Sequence, residues 1–143
     1  SNGTVRLFGG AARDTLKGGA NGDLIHGNLG ADFLYGGGGA DLFRYNSVAE
    51  SSFSTVDQIF DFAPGTDKID LGRIDANTLV AGDQAFTWVA YGQSSAAGTL
   101  SAHAFVGGAW LVEGHTDGDG QVDLTILVVP QGPTPIGPGD FLL

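Results

Sequence analysis

Gly9-Gly-Ala-Ala-Arg-Asp14-Thr-Leu16-Lys, Gly18-Gly-Ala-Asn-Gly-Asp23-Leu-Ile25-His, Gly27-Asn-Leu-Gly-Ala-Asp32-Phe-Leu34-Tyr and Gly36-Gly-Gly-Gly-Ala-Asp41-Leu-Phe43-Arg are one nine-residue phrase written four times. Glycine opens each line, Asp holds the sixth place and a large apolar residue the eighth. Six Gly-rich residues ending in Asp read as a turn. The three that follow, centred on Leu, Ile or Phe, read as a very short strand. Two turn-plus-strand units return the chain above its starting point, so residues eighteen apart stack at about the 4.8 Å inter-strand spacing. Leu16 is then expected over Leu34 and Ile25 over Phe43, forming a thin apolar core between two small parallel sheets.

The same register places Asp14 over Asp32 and Asp23 over Asp41. Partly desolvated like charges disfavour joint ionisation, so the stack is unfavourable without a cation between its members. A hard divalent cation that accepts oxygen ligands at flexible geometry is calcium, with backbone carbonyls of Gly-rich turns as further ligands. Soft metals do not fit, because the chain has no Cys and His26 faces no second His.

Composition agrees. The net charge of −10, sixteen acids against six bases, disfavours nucleic acid and anionic membrane surfaces as partners. Only Glu50 and Glu113 among those acids are not Asp, a bias toward short oxygen ligands and turns. With 25 Gly and no Met, a helical protein is disfavoured. The absence of Cys removes disulfides and thiol chemistry without identifying a compartment. No membrane span and no signal peptide are legible, so no membrane insertion is expected. The chain reads as a fragment of a larger protein that keeps its own C-terminus, with Ser1-Asn2-Gly3 as a cloning remnant.

Beyond Arg44 the nine-residue period stops. Residues 58–62, 68–71, 85–90, 100–105, 109–113 and 122–129 read as strands, rich in β-branched and aromatic residues. Ala63-Pro-Gly-Thr-Asp67 reads as a turn. Residues 130–139 form a Pro/Gly loop, 140–143 a last strand, and 70–81 a short helix. Regularly spaced strands suggest an antiparallel sandwich capping the roll's open edge. The expectation is an all-β chain: a short parallel β-roll over residues 1–45, then an antiparallel β-sandwich over 46–143.

The nonapeptide resembles that of the RTX (repeats-in-toxin) proteins, whose repeats form a calcium-binding parallel β-roll. The resemblance implies one site from Gly10, Ala12 and Asp14 with Gly27, Leu29 and Asp32. It implies a second from Gly19, Asn21 and Asp23 with Gly36, Gly38 and Asp41. Carbonyls come from the non-acidic residues, and two carboxylates per site neutralise Ca²⁺. Ala12, Asn21 and Asn28 depart from glycine in the turns. Upstream, Leu7 belongs to a partial repeat in which Val5 stands where Asp should be.

The stretch Asp57-Gln-Ile-Phe-Asp-Phe-Ala-Pro-Gly-Thr-Asp-Lys-Ile-Asp-Leu71 is similar to the C-terminal domain of the serralysins, secreted bacterial zinc proteases. So are Ile74-Asp-Ala-Asn77, Gly82-Asp-Gln-Ala-Phe86, Gly114-His-Thr-Asp-Gly-Asp-Gly-Gln-Val-Asp123 and the terminal Asp140-Phe-Leu-Leu143. Similar tails occur on secreted lipases and alginate epimerases. The resemblance implies a secreted, extracellular location and a catalytic or adhesive domain N-terminal to these residues. It also implies export by a type I (ABC) apparatus that reads Asp140, Phe141, Leu142 and Leu143. Family members use acids in the 57–67 stretch for a further calcium, so Asp57, Asp61 and Asp67 are added candidates; which of them points inward is not legible.

Other readings carry less. Asp117 and Asp119 imitate an EF-hand loop, but the first and closing acids are missing and a strand follows, so a hairpin is expected. There is no His-Glu-x-x-His and no Gly-x-Ser-x-Gly, and the chain is expected to be non-catalytic. Trp88, Trp110, Tyr91 and Phe105 read as sandwich core before a sugar-binding surface. The expected function is calcium-triggered folding after export. The rivals are a carbohydrate- or matrix-binding adhesive module and an accessory domain of a secreted enzyme.

Overall fold

The computed structural model describes residues 3–143; Ser1 and Asn2, part of the expected cloning remnant, lie outside them. Positions seven to nine of the repeats are the strands: β2 (Thr15–Lys17), β3 (Leu24–His26), β4 (Phe33–Tyr35) and β5 (Leu42–Arg44), preceded by β1 (Arg6–Phe8) from the partial repeat. Strands alternate between two sheets, pairing in parallel with the strand eighteen residues on. Leu16 lies beside Leu34, and Ile25 beside Phe43.

The later strands are β6 (Asp57–Phe62), β7 (Lys68–Asp70), β8 (Thr87–Trp88), β9 (Thr99–Ala104), β10 (Trp110–His115), β11 (Leu124–Pro130) and β12 (Phe141–Leu142). They join the same two sheets. One is ordered β1-β3-β5-β7-β12, the other β2-β4-β6-β11-β10-β9-β8. In the second sheet β6 continues the parallel stack, and β9, β10 and β11 supply the antiparallel part. The all-β roll followed by an antiparallel array is thus built on continuous sheets.

The core is a pair of facing columns. Leu7, Ile25, Phe43, Ile69 and Phe141 are successive partners in one sheet; Leu16, Leu34 and Ile59 stack in the other. Ile25, Phe43, Ile59 and Ile69 are fully buried, each stabilising the fold by about 1.5–3 kcal/mol. Trp88 and Trp110 pack against this core, as expected, whereas Tyr91 and Phe105 are exposed.

The helix expected over 70–81 is absent. The segment is a run of turns, because its short polar side chains bond nearby backbone and compete with helical hydrogen bonds. Asp70 accepts from the Gly72 N–H, Asp75 from those of Asn77 and Gln84, and Asn77 from that of Leu79. Among the described residues there is no α-helix and none able to cross a membrane. The 116–123 segment joins antiparallel β10 and β11 as the expected hairpin. Its Asp123 carboxylate accepts from both the N–H and the hydroxyl of Thr116.

Candidate metal centre

The turns line up along the two sides of the roll, and their Asp residues form two hydrogen-bonded ladders. On one side the Asp14 N–H donates to Asp32 Oδ1 (2.7 Å), the Asp32 N–H to Asp57 Oδ1 (2.8 Å), and the Asp57 N–H to Ser51 Oγ (2.9 Å). On the other the Val5 N–H donates to Asp23 Oδ1 (2.8 Å), the Asp23 N–H to Asp41 Oδ1 (2.8 Å), and the Asp41 N–H to Asp67 Oδ1 (2.9 Å). Asp57 and Asp67 therefore extend the ladders by one rung each, although neither belongs to a nonapeptide. Ser51 ends the first ladder with a hydroxyl, and its Oγ–H donates to the Thr125 carbonyl. Val5 ends the second with no side-chain oxygen.

The second carboxylate oxygen separates outer rungs from inner ones. Asp14 Oδ2 accepts from the Gly10 N–H, Asp23 Oδ2 from the Gly19 N–H, and Asp67 Oδ2 from the Ala63 N–H. Asp32 Oδ2 and Asp41 Oδ2 are buried and have no hydrogen-bond partner, whereas Asp57 Oδ2 is buried beside the hydroxyl of Tyr45, itself buried. An unpaired buried carboxylate oxygen is costly, and one at the middle rung of each ladder fits a site that accepts a hard cation.

Asp61 reaches the same region from a direction the sequence did not reveal. It sits in β6 with φ 51°, in the left-handed region, close to the register shift between β6 and β11. Its carboxylate accepts from the Gly36 N–H (2.9 Å) and the Gly37 N–H (3.2 Å). Asp tolerates that conformation better than most residues, and the bulge turns a strand residue toward the turn. All three acids whose direction was open, Asp57, Asp61 and Asp67, thus contact the repeat turns.

Glycine at position one is sterically required. A Cβ on Gly27 or Gly36 would overlap Oδ2 of Asp32 or Asp41, the two unpaired oxygens. Positions two and four differ between turns. Asn28 and Gly30 in the third turn, and Gly37 and Gly39 in the fourth, have positive φ; Gly10, Ala12, Gly19 and Asn21 do not. The departures at Ala12 and Asn21 therefore accompany a real change of turn conformation, as the Cβ penalty predicts. Leu29 is half exposed, and the Gly19 carbonyl accepts from the Gly38 N–H across the stack.

Burial raises the carboxyl pKa values, and neighbouring carboxylates add to the effect. Asp57 is pushed up to about 7, first by burial, with the Asp32 and Glu50 charges also raising it against the Asp32 N–H and the Tyr45 hydroxyl. Asp41 rises to about 6 by burial, with Asp67, Asp23 and Asp61 also raising it. Asp32, Asp61 and Asp67 are likewise raised, chiefly by burial. Without a counter-charge the inner rungs resist full ionisation. Among the described residues no three acidic or His side chains converge on one point. The expected sites need only two carboxylates each, the rest being carbonyls. His26, expected to face no second His, instead bonds Glu50 in a buried pair (2.9 Å).

The tail is folded into the sheet edge. Asp140 accepts from the Gly65 N–H (2.8 Å) and the Gly137 N–H (2.9 Å). Phe141 is buried against Trp88, while Leu142 and Leu143 are partly exposed.

The family described as peptidase M10 serralysin C-terminal matches residues 6–133. Among solved structures, the AlgE6R2 subunit of the Azotobacter vinelandii mannuronan C5-epimerase is similar in fold, with a TM-score of 0.64 and 24% identity. The match covers 98% of this chain and 89% of that one. The AlgE6R3 subunit of the same organism's epimerase matches at TM-score 0.49 and 21% identity, over 84% of this chain and 72% of that one. No curated protein matches.

Proposed function

The chain belongs to the peptidase M10 serralysin C-terminal family, and from that premise we propose that it is the calcium-dependent folding and export module of a secreted bacterial protein. The observation that carries this reading is the buried, unpaired oxygen at the middle rung of each ladder, on Asp32 on one side of the roll and on Asp41 on the other. Calcium would supply the positive charge those oxygens lack. The proposed sites are Gly10, Ala12, Asp14, Gly27, Leu29 and Asp32 on one side of the roll, and Gly19, Asn21, Asp23, Gly36, Gly38 and Asp41 on the other. Asp57 and Asp67 add the next rung of each ladder, and Asp61 adds a carboxylate at the fourth turn. The inner rungs are the tighter sites, because their oxygens are free and their turns have the left-handed residues. The division at residues 45 and 46 marks where the repeat ends and the capping segment begins.

In a cytosol poor in calcium the inner carboxylates stay uncompensated and the roll stays open, so the chain can be threaded through a type I apparatus. Extracellular modules bind calcium at about 10⁻⁴–10⁻³ M. Binding only to the folded state stabilises it by mass action. The export motif would be read in the open chain, since folding buries Asp140 and Phe141. No catalytic residue is assigned; the chemistry belongs to the parent protein. Circular dichroism during calcium titration tests the reading, and no gain of structure would sink it. Deleting residues 140–143 from a secreted parent should abolish export; unchanged export would remove the tail's assigned role.

A further inference from the structure

We propose that the outer face of β1, β3 and β5 carries a recognition site for a short acidic peptide, one with an aliphatic side chain between two carboxylates. A single cavity of 520 Å³ lies there, with Arg6, Arg44 and Arg73 around Leu24 and Leu42. Ile25 and Phe43 are fully buried, so Leu24 and Leu42, their neighbours along the strands, face outward and form an aliphatic floor. Arg6, Leu24, Leu42 and Lys68 are successive partners across β1, β3, β5 and β7. The floor is thus flanked by Arg6 on the β1 side and by Arg73, which follows β7, on the other.

The guanidiniums are accessible and short of partners. Arg6 and Arg73 are exposed, and neither side chain makes a hydrogen bond or ion pair among the described residues. Arg44 Nε donates to Asp70 Oδ2 (2.9 Å), which holds the side chain in place and leaves its terminal nitrogens unpartnered among the described residues. One acid lines the cavity, Asp23; it is 3% exposed and turns its oxygens to the Val5 and Gly19 N–H groups. Half of the six bases of a chain with net charge −10 therefore meet at one place. The other three are engaged elsewhere. Arg13 and Lys17 lie over the Phe33 and Tyr35 rings of the other sheet, and Lys68 donates to the Gly139 carbonyl. Positive potential ends at the rim, so a long polyanion is repelled beyond it. A compact ligand with two carboxylates gains a guanidinium pair at each end. Three inter-strand spacings, about 14 Å, separate β1 from β7. Acids four residues apart in an extended peptide stand about 13 Å apart, with the side chain midway on the same face as both. An aliphatic side chain there covers the leucine floor. Gly22 lines the cavity with main chain that makes no hydrogen bond among the described residues. It offers a peptide group a main-chain partner that a simple diacid cannot use.

The test is calorimetric titration of the chain in millimolar calcium with acetyl-Asp-Ser-Leu-Ser-Asp-amide. The comparison ligands are the peptide with both Asp replaced by Asn, the peptide with Leu replaced by Ser, azelate as a simple diacid, inorganic sulfate and hexagalacturonate. The Asp peptide is expected to bind, more weakly as salt is added, and more tightly than every comparison ligand. Arg6→Gln and Arg73→Gln should each weaken it about fivefold, the loss of one exposed ion pair. Both side chains are exposed, so the calcium-loaded melting temperature should hold. Lys17→Gln, on the other sheet, should leave binding unchanged. No binding of the Asp peptide, equal binding of the Asn or Ser peptide, or binding unmoved by both arginine variants overturns the proposal. Azelate, sulfate or hexagalacturonate binding as tightly as the peptide also overturns it, as does an equal loss in Lys17→Gln.

Discussion

Asp57→Asn should stabilise the calcium-free chain and destabilise the calcium-loaded one. The side chain is fully buried; Oδ1 accepts from the Asp32 N–H and Oδ2 lies beside the buried Tyr45 hydroxyl. An amide keeps the acceptor for Asp32 and removes the charge. The rise of the Asp57 pKa from 3.8 to about 7 corresponds, at 1.36 kcal/mol per pH unit, to roughly 4 kcal/mol of stability that the ionised group costs the metal-free fold at pH 8. Neutralisation should recover a large part of that. With calcium the variant loses a ligand, and a site saturated a hundredfold over its Kd contributes about 2.7 kcal/mol. Urea unfolding at pH 8, in chelator and in millimolar calcium, measures both. The reasoning fails if the substitution moves stability in the same direction in the two conditions, or leaves the chelated protein unchanged.

The pH dependence should likewise reverse with calcium. For the metal-free fold, the raised values of Asp57 and Asp41 mean that proton binding stabilises fully below about 3.8 and that this is lost as pH rises through about 6 to 7. The chelated chain should therefore melt higher at pH 5 than at pH 8, and calcium binding near pH 6 should release protons, seen by calorimetry in buffers of different ionisation enthalpy. Gly36→Ala places a Cβ on Asp41 Oδ2 and should cost about 1–3 kcal/mol in calcium, as overpacking does; Gly137→Ala, where a Cβ meets nothing, should stay within about 0.5 kcal/mol. Asp140→Ala removes two hydrogen bonds to a charged group, each worth about 1.5–3 kcal/mol, and should lower the melting temperature while the Asp140→Asn protein recovers part of it. Chemical denaturation of these variants checks each expectation.

Much of the roll was legible because its information is local. A period of nine with Asp at six and an apolar residue at eight sets turn, strand and register together, and the stacking of Leu16 on Leu34 follows from arithmetic. The four repeat Asp residues sit in the expected ladders for the same reason. The helix over 70–81 was misread because Asp70, Asp75 and Asn77 spend their side chains on nearby N–H groups, a competition that composition does not reveal.

The sequence by itself determined the repeat, its sheets and which carboxylates face one another, since each of these depends on residues within eighteen positions. Only the tertiary structure decided which carboxylates remain unpaired. Asp57 and Asp67 enter the ladders from outside the period, Asp61 turns inward through a left-handed residue beside a bulge, and Ser51 closes a ladder with a hydroxyl anchored on β11. These contacts join segments whose separation follows no repeat, so burial and pairing at the inner rungs exist only once both sheets have closed.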